Sequence, residues 1–171
     1  SGAASEALIE QAITNTAARI EAGKPVTPAF LFAALLWPAV REHAATLERD
    51  GMAPAPALAS AQSAVVGEQI QRVSIPKRFS IPMREIWHLQ PRFHRRRGKQ
   101  PSRLIAHPRF RAAYDFLLLR AGVGEVEQEL ADWWTTAQND PSTPAPGSGA
   151  SAPGKARKRR RGGRRRRTES A

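Results

Sequence analysis

Basic side chains at helical spacing are the residues of this 171-residue sequence with the clearest chemistry. Between positions 84 and 99 they recur so that they share one face of a predicted α-helix. Such a face binds polyanions, because each cation can contact one phosphate. The face consists of Arg84, His88, Arg92, Arg95, Arg96 and Lys99. The pattern predicts nucleic-acid binding, and the alternative is neutralisation by an acidic part of the fold or by a protein partner.

The net charge of +12 is unevenly distributed along the chain. Residues 1–69 and 113–140 carry net charges of −3 and −5. Residues 70–112 hold 12 basic residues and one acid, and residues 141–171 hold ten basic residues and one acid. This surplus indicates a polyanionic partner, either nucleic acid or an anionic membrane surface. No apolar run reaches the about 20 residues of a membrane-spanning helix, and we expect no membrane partner.

Groups that could carry out catalysis are scarce in this sequence. It has no cysteine, which excludes thiol catalysis, disulfides and cysteine-based zinc sites and fits a cytoplasmic location. It also has no Asp-x-Asp pair for two magnesium ions and no glycine-rich phosphate loop between a strand and a helix. We therefore predict binding rather than catalysis, with no catalytic and no metal-binding residue.

Histidines and a group of acids are the remaining candidates for chemistry. His88 has no second histidine or carboxylate three or four residues further on, so the helix-borne zinc pattern is missing. His107 is expected to cap a helix or to contact RNA. Glu125, Glu127 and Glu129 are expected to compensate the helix dipole at the start of a last helix.

Residues 1–140 show a period of 3.6 residues and almost no strand-like alternation, which predicts an all-α domain. We expect a compact bundle of about six helices, over residues 5–22, 28–50, 57–73, 80–97, 108–122 and 124–138. The second helix is apolar nearly all round at its start, so we expect it at the centre, with a kink at Pro38. The fourth helix carries the basic face and should bend at Pro91.

The chain from Pro141 onward contains no Ile, Leu, Val, Met, Phe, Tyr or Trp. Nothing there offsets a backbone entropy of about 1–2 kcal/mol per residue. The sequence thus predicts a helical RNA-binding body or arm over residues 1–140 and a disordered Pro/Gly/Ser linker with an arginine-rich tail over 141–171. The tail cations expected to attract RNA are Arg164, Arg165, Arg166 and Arg167.

Several blocks of sequence follow one another in a recognisable order. They are Ser74-Ile-Pro-Lys-Arg-Phe79, Met83-Arg-Glu-Ile-Trp-His-Leu-Gln90, Arg95-Arg-Arg-Gly-Lys99 and His107-Pro-Arg-Phe-Arg-Ala-Ala-Tyr-Asp115, with Pro28-Ala-Phe-Leu-Phe-Ala-Ala34 upstream and Trp133-Trp134 downstream. Over about residues 5–138 this arrangement resembles the C-terminal region of the bacterial poly(A) polymerase I family. An arginine-rich tail is typical of that family too. The sequence departs from it at Pro91, where a helix-compatible residue is more usual.

The resemblance implies the RNA-binding C-terminal part of a template-independent enzyme that adds AMP from ATP to RNA 3′ ends. In the family, ATP and Mg²⁺ belong to a nucleotidyltransferase head that these residues do not contain, so this segment alone is expected to be non-catalytic. Because the chain opens with Ser-Gly and no Met, we expect an excised piece. The implied partners are single-stranded RNA 3′ ends, the catalytic head of the same polypeptide and RNA-decay proteins.

Holding RNA ends independently of sequence requires contacts to phosphates. We expect inner contacts from Arg84, Arg92, Arg95, Arg96 and Lys99, and outer contacts from Lys77, Arg78, Arg103, Arg109 and Arg111. Phe79, Trp87 and Tyr114 could stack on bases, but we expect them in the core. Two alternatives stay open: an autonomous RNA-binding or ribosome-associated module, and a protein-interaction arm in which the apolar second helix packs on the head or on a decay factor.

Overall fold

The helical periodicity of the sequence corresponds to seven α-helices and one 3₁₀ helix in the computed structural model, which describes residues 2–72 and 74–142. The elements are α1 (Gly2–Glu21), α2 (Pro28–Arg49), α3 (Pro54–Arg72), α4 (Lys77–Leu89), the 3₁₀ helix (Gln90–His94), α5 (Gln100–Ile105), α6 (Phe110–Gly122) and α7 (Gln128–Gln138). These residues form no strand, and the predicted all-α fold class is confirmed. The arginine-rich tail lies outside the described residues.

Helix α2 is the central element of the bundle, as predicted. It packs against α1, α3, α4 and α6. Its buried alanines, Ala29, Ala33 and Ala34, leave room for the neighbouring helices to approach. Pro28 occupies the first helical turn, where its missing N–H breaks no hydrogen bond. The helix continues through Pro38.

A first apolar cluster joins α1, α2, α3, α4 and one side of α6. The rings of Trp37 and Phe116 meet edge to face with their centroids 5.5 Å apart. The indole N–H of the fully buried Trp87 donates a 3.0 Å hydrogen bond to the carbonyl oxygen of Ala33. That bond satisfies the polar edge of a large core side chain and fixes α4 on α2.

A second apolar cluster lies between the 3₁₀ helix, α5, α6 and α7. The rings of Phe93 and Trp134 meet edge to face at 5.1 Å, and the Trp134 indole donates to the Phe93 carbonyl oxygen at 2.9 Å. Helix α6 belongs to both clusters. Phe116 and Leu119 face the first, and Tyr114 and Leu117 face the second.

The predicted C-terminal end of the helix over residues 80–97 is wrong. Helix α4 ends at Leu89, and the chain tightens into the 3₁₀ helix, in which the Gln90 N–H bonds to the Trp87 carbonyl oxygen three residues back. Pro91 explains the change, because it has no N–H for the α-helical ladder and its ring clashes with the preceding turn. Residues 95–99 are not helical, with Gly98 at φ +61°. The predicted cations beyond Leu89 therefore do not share a helix face with Arg84.

The last helix also begins later than predicted, at Gln128 instead of residue 124. Gly124 adopts φ +75°, and the N–H groups of Gly124 and Glu125 bond to the carbonyl oxygens of Ala121 and Arg120. This is a left-handed glycine cap that ends α6. Glu125 consequently precedes α7 and is not one of its first-turn acids.

Candidate nucleic-acid interface

The solvent side of α4 carries a short basic stripe. At about 100° per residue, Lys77, Ile81, Arg84 and His88 fall within an arc of about 60°. Lys77, Ile81 and His88 are exposed, and Arg84 is half-buried. An Arg84 guanidinium nitrogen lies 2.8 Å from the Ser63 hydroxyl oxygen, to which it donates. This hydrogen bond of Arg84, one of the predicted inner contacts, joins the basic stripe of α4 to α3.

The basic residues continue past α4 into the 3₁₀ helix, the following loop and α5. We call residues 77–103 the basic segment. Eight of its cations have no ion-pair partner among residues 2–72 and 74–142: Lys77, Arg78, Arg84, Arg92, Arg95, Arg97, Lys99 and Arg103. Arg84 and Arg92 are half-buried and the others are exposed. Arg97 was not predicted as a contact, although its place in a run of three arginines is a signal for it.

Three of the predicted contacts form ion pairs within the chain. The pairs are Arg96 with Glu129 at 2.6 Å, Arg109 with Glu85 at 2.7 Å and Arg111 with Asp115 at 3.4 Å. Internal neutralisation, the alternative to nucleic-acid binding, therefore applies to these three cations. Burial raises the pKa of Asp115, and the Arg111 cation opposes that shift.

The aromatic residues considered for base stacking lie in or against the core, as expected. Trp87 and Tyr114 are buried, and Phe79 is half-buried with its ring centroid 6.5 Å from that of Phe32. Trp133 on α7 is likewise half-buried, and the Arg96 guanidinium lies 5.7 Å from its ring centroid.

Trp133 lines an open surface groove of about 570 Å³ on α7. The other lining residues include the acids Glu129, Asp132 and Asp140. Their carboxylates repel phosphate, so this groove does not extend the basic segment as a nucleic-acid surface.

A network of buried charged and polar side chains holds the 3₁₀ helix of the basic segment in place. The Arg120 side chain, in a residue that is only 5% exposed, donates to Glu125 Oε1 at 3.2 Å and to Gln90 Oε1 at 3.1 Å. The Trp37 indole N–H donates to the same carboxylate, at 2.9 Å from Glu125 Oε1 and 3.1 Å from Oε2. Burial lowers the pKa of Arg120, and Glu125 opposes that shift. Because Gln90 opens the 3₁₀ helix, the network holds that helix against α6 and α2.

The prediction that Glu125 compensates the dipole of the last helix is thus wrong. Its carboxylate pairs with Arg120 and, at 3.3 Å, with Arg41 instead. Glu127 is the cap residue of α7, and Glu129 lies in its first turn. The single arginine in the apolar run of α6 is the sequence signal that could have revealed a buried acidic partner.

His107 lies just before α6. Its Nδ1 accepts the backbone N–H of Arg109 at 3.0 Å. Because Arg109 is the N-cap residue of α6, His107 orders the turn before the helix, and the N-cap role expected for it is wrong. In the described part of the chain no three acidic or histidine side chains converge as a metal site, and those residues do not offer the carboxylate set that Mg²⁺ needs. None of the described helices has the length and apolar character needed to span a membrane.

Comparison with known proteins identifies the chain's relatives. Residues 50–168 match the family model described as polymerase A arginine-rich C-terminus. The chain is 44% identical to poly(A) polymerase I of Escherichia coli O6:H1 over 135 residues, which cover 75% of this chain and 28% of that protein. It is 44% identical to the Salmonella typhi protein of the same name over 138 residues, covering 79% and 30%, and 37% identical to that of Haemophilus influenzae over 131 residues, covering 75% and 29%. The chain spans less than a third of the length of these relatives. By the match over residues 50–168, it belongs to the polymerase A arginine-rich C-terminus family, as the resemblance in its sequence indicated.

Proposed function

We propose that this chain is the RNA-binding segment of a template-independent poly(A) polymerase and holds single-stranded RNA 3′ ends while AMP from ATP is added to them. The observation that carries the proposal is the basic segment, with its eight cations that lack an ion-pair partner in the described part of the chain. Unpaired cations attract phosphates regardless of base sequence, as an enzyme without a template requires. The similarity to relatives named poly(A) polymerase I supports this proposal.

The rest of such an enzyme supplies the catalytic site. ATP and Mg²⁺ belong to a catalytic head of the same polypeptide, and the site of action is the cytoplasm. RNA-decay proteins are further partners. The predicted body at residues 1–140 contributes ordered phosphate contacts, and Arg164, Arg165, Arg166 and Arg167 of the tail contribute electrostatic attraction. We expect the 171-residue chain to show no primer extension with labelled ATP, Mg²⁺ and oligo(A), and any extension that depends on the protein contradicts this.

The test of RNA binding compares two triple variants with the same loss of charge. The first replaces Arg92, Arg95 and Lys99 of the basic segment by alanine. The matched control replaces Lys24, Arg49 and Arg72, three exposed cations of the α1–α2 link, α2 and α3. Binding of labelled oligo(A) is measured over a range of salt concentrations, since each phosphate contact contributes about −0.7 to the log–log slope.

We expect the first variant to flatten the slope by about 2 units, because three contacts are lost. The control should change the slope by less than about 0.7. Equal effects of the two variants, or a wild-type slope near zero, contradict RNA binding by the basic segment. In the full-length polymerase, the first variant should raise the KM for RNA and leave the KM for ATP unchanged. An unchanged KM for RNA favours an autonomous RNA-binding module.

Protein docking is a second candidate function, favoured by exposed isoleucines on α1. Ile13 is 54% exposed and Ile20 is 63% exposed, and both lie near half-buried Ile9 on one side of the helix. Helix α2, the surface first considered for docking, is instead covered by four neighbouring helices. Replacing Ile13 and Ile20 by serine should weaken binding of a protein partner without changing the salt slope for oligo(A).

A further inference from the structure

Three elements meet near the N-terminus of α6. The Arg109 side chain donates to Glu85 Oε2 at 2.7 Å and thereby fastens the start of α6 to α4. His88 lies one turn after Glu85 on α4, and Arg92 lies about one turn further on, in the 3₁₀ helix. This arrangement places His107, which precedes α6, within electrostatic range of both His88 and Arg92.

The hydrogen bond to His107 fixes which ring nitrogen carries the proton. A backbone N–H can only donate, so Nδ1 must hold a lone pair and the neutral ring carries its proton on Nε2. Nε2 has no partner among the described residues and is not one of their buried polar atoms. A neutral, oriented donor therefore faces solvent within electrostatic range of the half-buried residue Arg92.

The charges around His107 keep it neutral at ordinary pH. Burial lowers its pKa, and the cations Arg92 and Arg109 lower it further, together with His88, while Glu85 acts in the opposite direction. Protonation of Nδ1 would also break the bond from the Arg109 N–H. At neutral pH the ring thus offers one N–H donor and no charge, within electrostatic range of the permanently charged Arg92.

We propose that one phosphodiester of single-stranded RNA binds at this junction of α4, the 3₁₀ helix and α6, with His107 Nε2–H and the Arg92 guanidinium as its donors. The inference rests on the proposed function and adds the site of one contact. The positive end of the α6 dipole favours an anion at the same place. Glu85 does not neutralise Arg92, because its carboxylate is bound to Arg109.

Two substitutions at His107 separate its hydrogen bond with the Arg109 N–H from its Nε2 donor. The side-chain oxygen of His107→Asn can still accept the Arg109 N–H, but the variant has no group at the Nε2 position. His107→Gln keeps a donor at the distance of Nε2 and loses the acceptor of the Arg109 N–H. The matched control is His43→Asn, at an exposed histidine of α2. Affinity for labelled oligo(A) is measured for the whole chain at about pH 7.5, above the ordinary histidine pKa.

We expect His107→Asn to weaken oligo(A) binding about tenfold, because a hydrogen bond to a charged group is lost, and to leave the salt slope unchanged. Arg92→Ala should weaken binding and also flatten the slope by about 0.7. His107→Gln and His43→Asn should bind within about twofold of the wild type. Equal affinities of His107→Asn and His43→Asn overturn the inference while RNA binding stands. A wild-type chain that does not bind oligo(A) overturns the proposed function itself.

A measurement on the unaltered chain tests the same contact without the risk that a variant misfolds. The ¹⁵N chemical shift of His107 Nε2 should move on addition of oligo(A), and that of His43 should stay constant. ATP alone, added at the same phosphate concentration, distinguishes a free nucleotide from an RNA phosphodiester. A shift with ATP and none with oligo(A), or no shift with either, overturns the inference.

Discussion

Replacing Arg120 by methionine removes a buried charge that joins α6, the 3₁₀ helix and α2. The residue is 5% exposed, its side chain bonds to Glu125 and Gln90, and its guanidinium lies 5.0 Å from a Trp37 ring centroid. Breaking a buried ion pair by removing one partner costs about 3–5 kcal/mol of stability. Since Glu125 keeps its bonds from the Trp37 indole and Arg41, we expect the lower end, about 3 kcal/mol.

The matched control is Arg41→Met. Arg41 contacts the same Glu125 carboxylate at 3.3 Å, but its side chain is 55% exposed, so the expected loss is below about 1 kcal/mol. Thermal unfolding is followed by far-ultraviolet circular dichroism. At about 3–4 °C per kcal/mol for a domain of this size, Arg120→Met should lower Tm by about 10 °C and Arg41→Met by less than about 4 °C.

Adding Glu125→Gln to Arg120→Met supplies a further check, because it neutralises the acid that the first change leaves buried. We expect the double variant to recover part of the lost stability. Equal Tm values for Arg120→Met and Arg41→Met would show that the buried network contributes no more than an exposed ion pair, and the reasoning from burial would then be refuted.

Other changes in stability follow from single groups. Gln62→Leu should stabilise the fold by about 1 kcal/mol, because the buried Nε2 has no partner in the described part of the chain; an unchanged or lower urea midpoint contradicts this. Gly67→Ala should raise Tm, since its helical position in α3 has open space for a methyl group, whereas Gly124→Ala should lower Tm by forcing alanine into φ +75°. Burial lowers the pKa of His94 and His107 from 6.5, so the unfolded chain takes up protons more readily, and Tm should fall as the pH is lowered from about 8 through about 6.5; a rise in Tm over that range contradicts the sign.

The fold class and the central position of α2 could be predicted because both depend on local patterns of apolar residues. The end of α4 had a signal in Pro91, but the sequence does not say whether a proline bends a helix or ends it. The 3₁₀ helix also needs the long-range bond between Gln90 and Arg120. That contact joins residues 30 positions apart, beyond the reach of helical periodicity.

In the candidate interface, too, some features follow from local sequence patterns and others from long-range packing. Cations could be identified from charge spacing, and the pair Arg111–Asp115 has the i,i+4 spacing that can be recognised in a sequence. The pair Arg96–Glu129 could not be predicted, since it depends on how α7 packs beside the 3₁₀ helix. Spacing thus indicates which residues are able to contact phosphate, and tertiary packing decides which of them remain unpaired.

The position of α6 between the two apolar clusters has a consequence for hydrogen exchange. If the second cluster opens, amides of the 3₁₀ helix, α5 and α7 meet solvent, but Phe116 and Leu119 still hold α6 on α2 and α4. If the first cluster opens, Tyr114 and Leu117 hold it from the other side. We therefore expect the amides of α6 to exchange only when both halves have opened and to be the slowest among residues 2–72 and 74–142. Helix α6 would then be the element that makes the two halves unfold cooperatively.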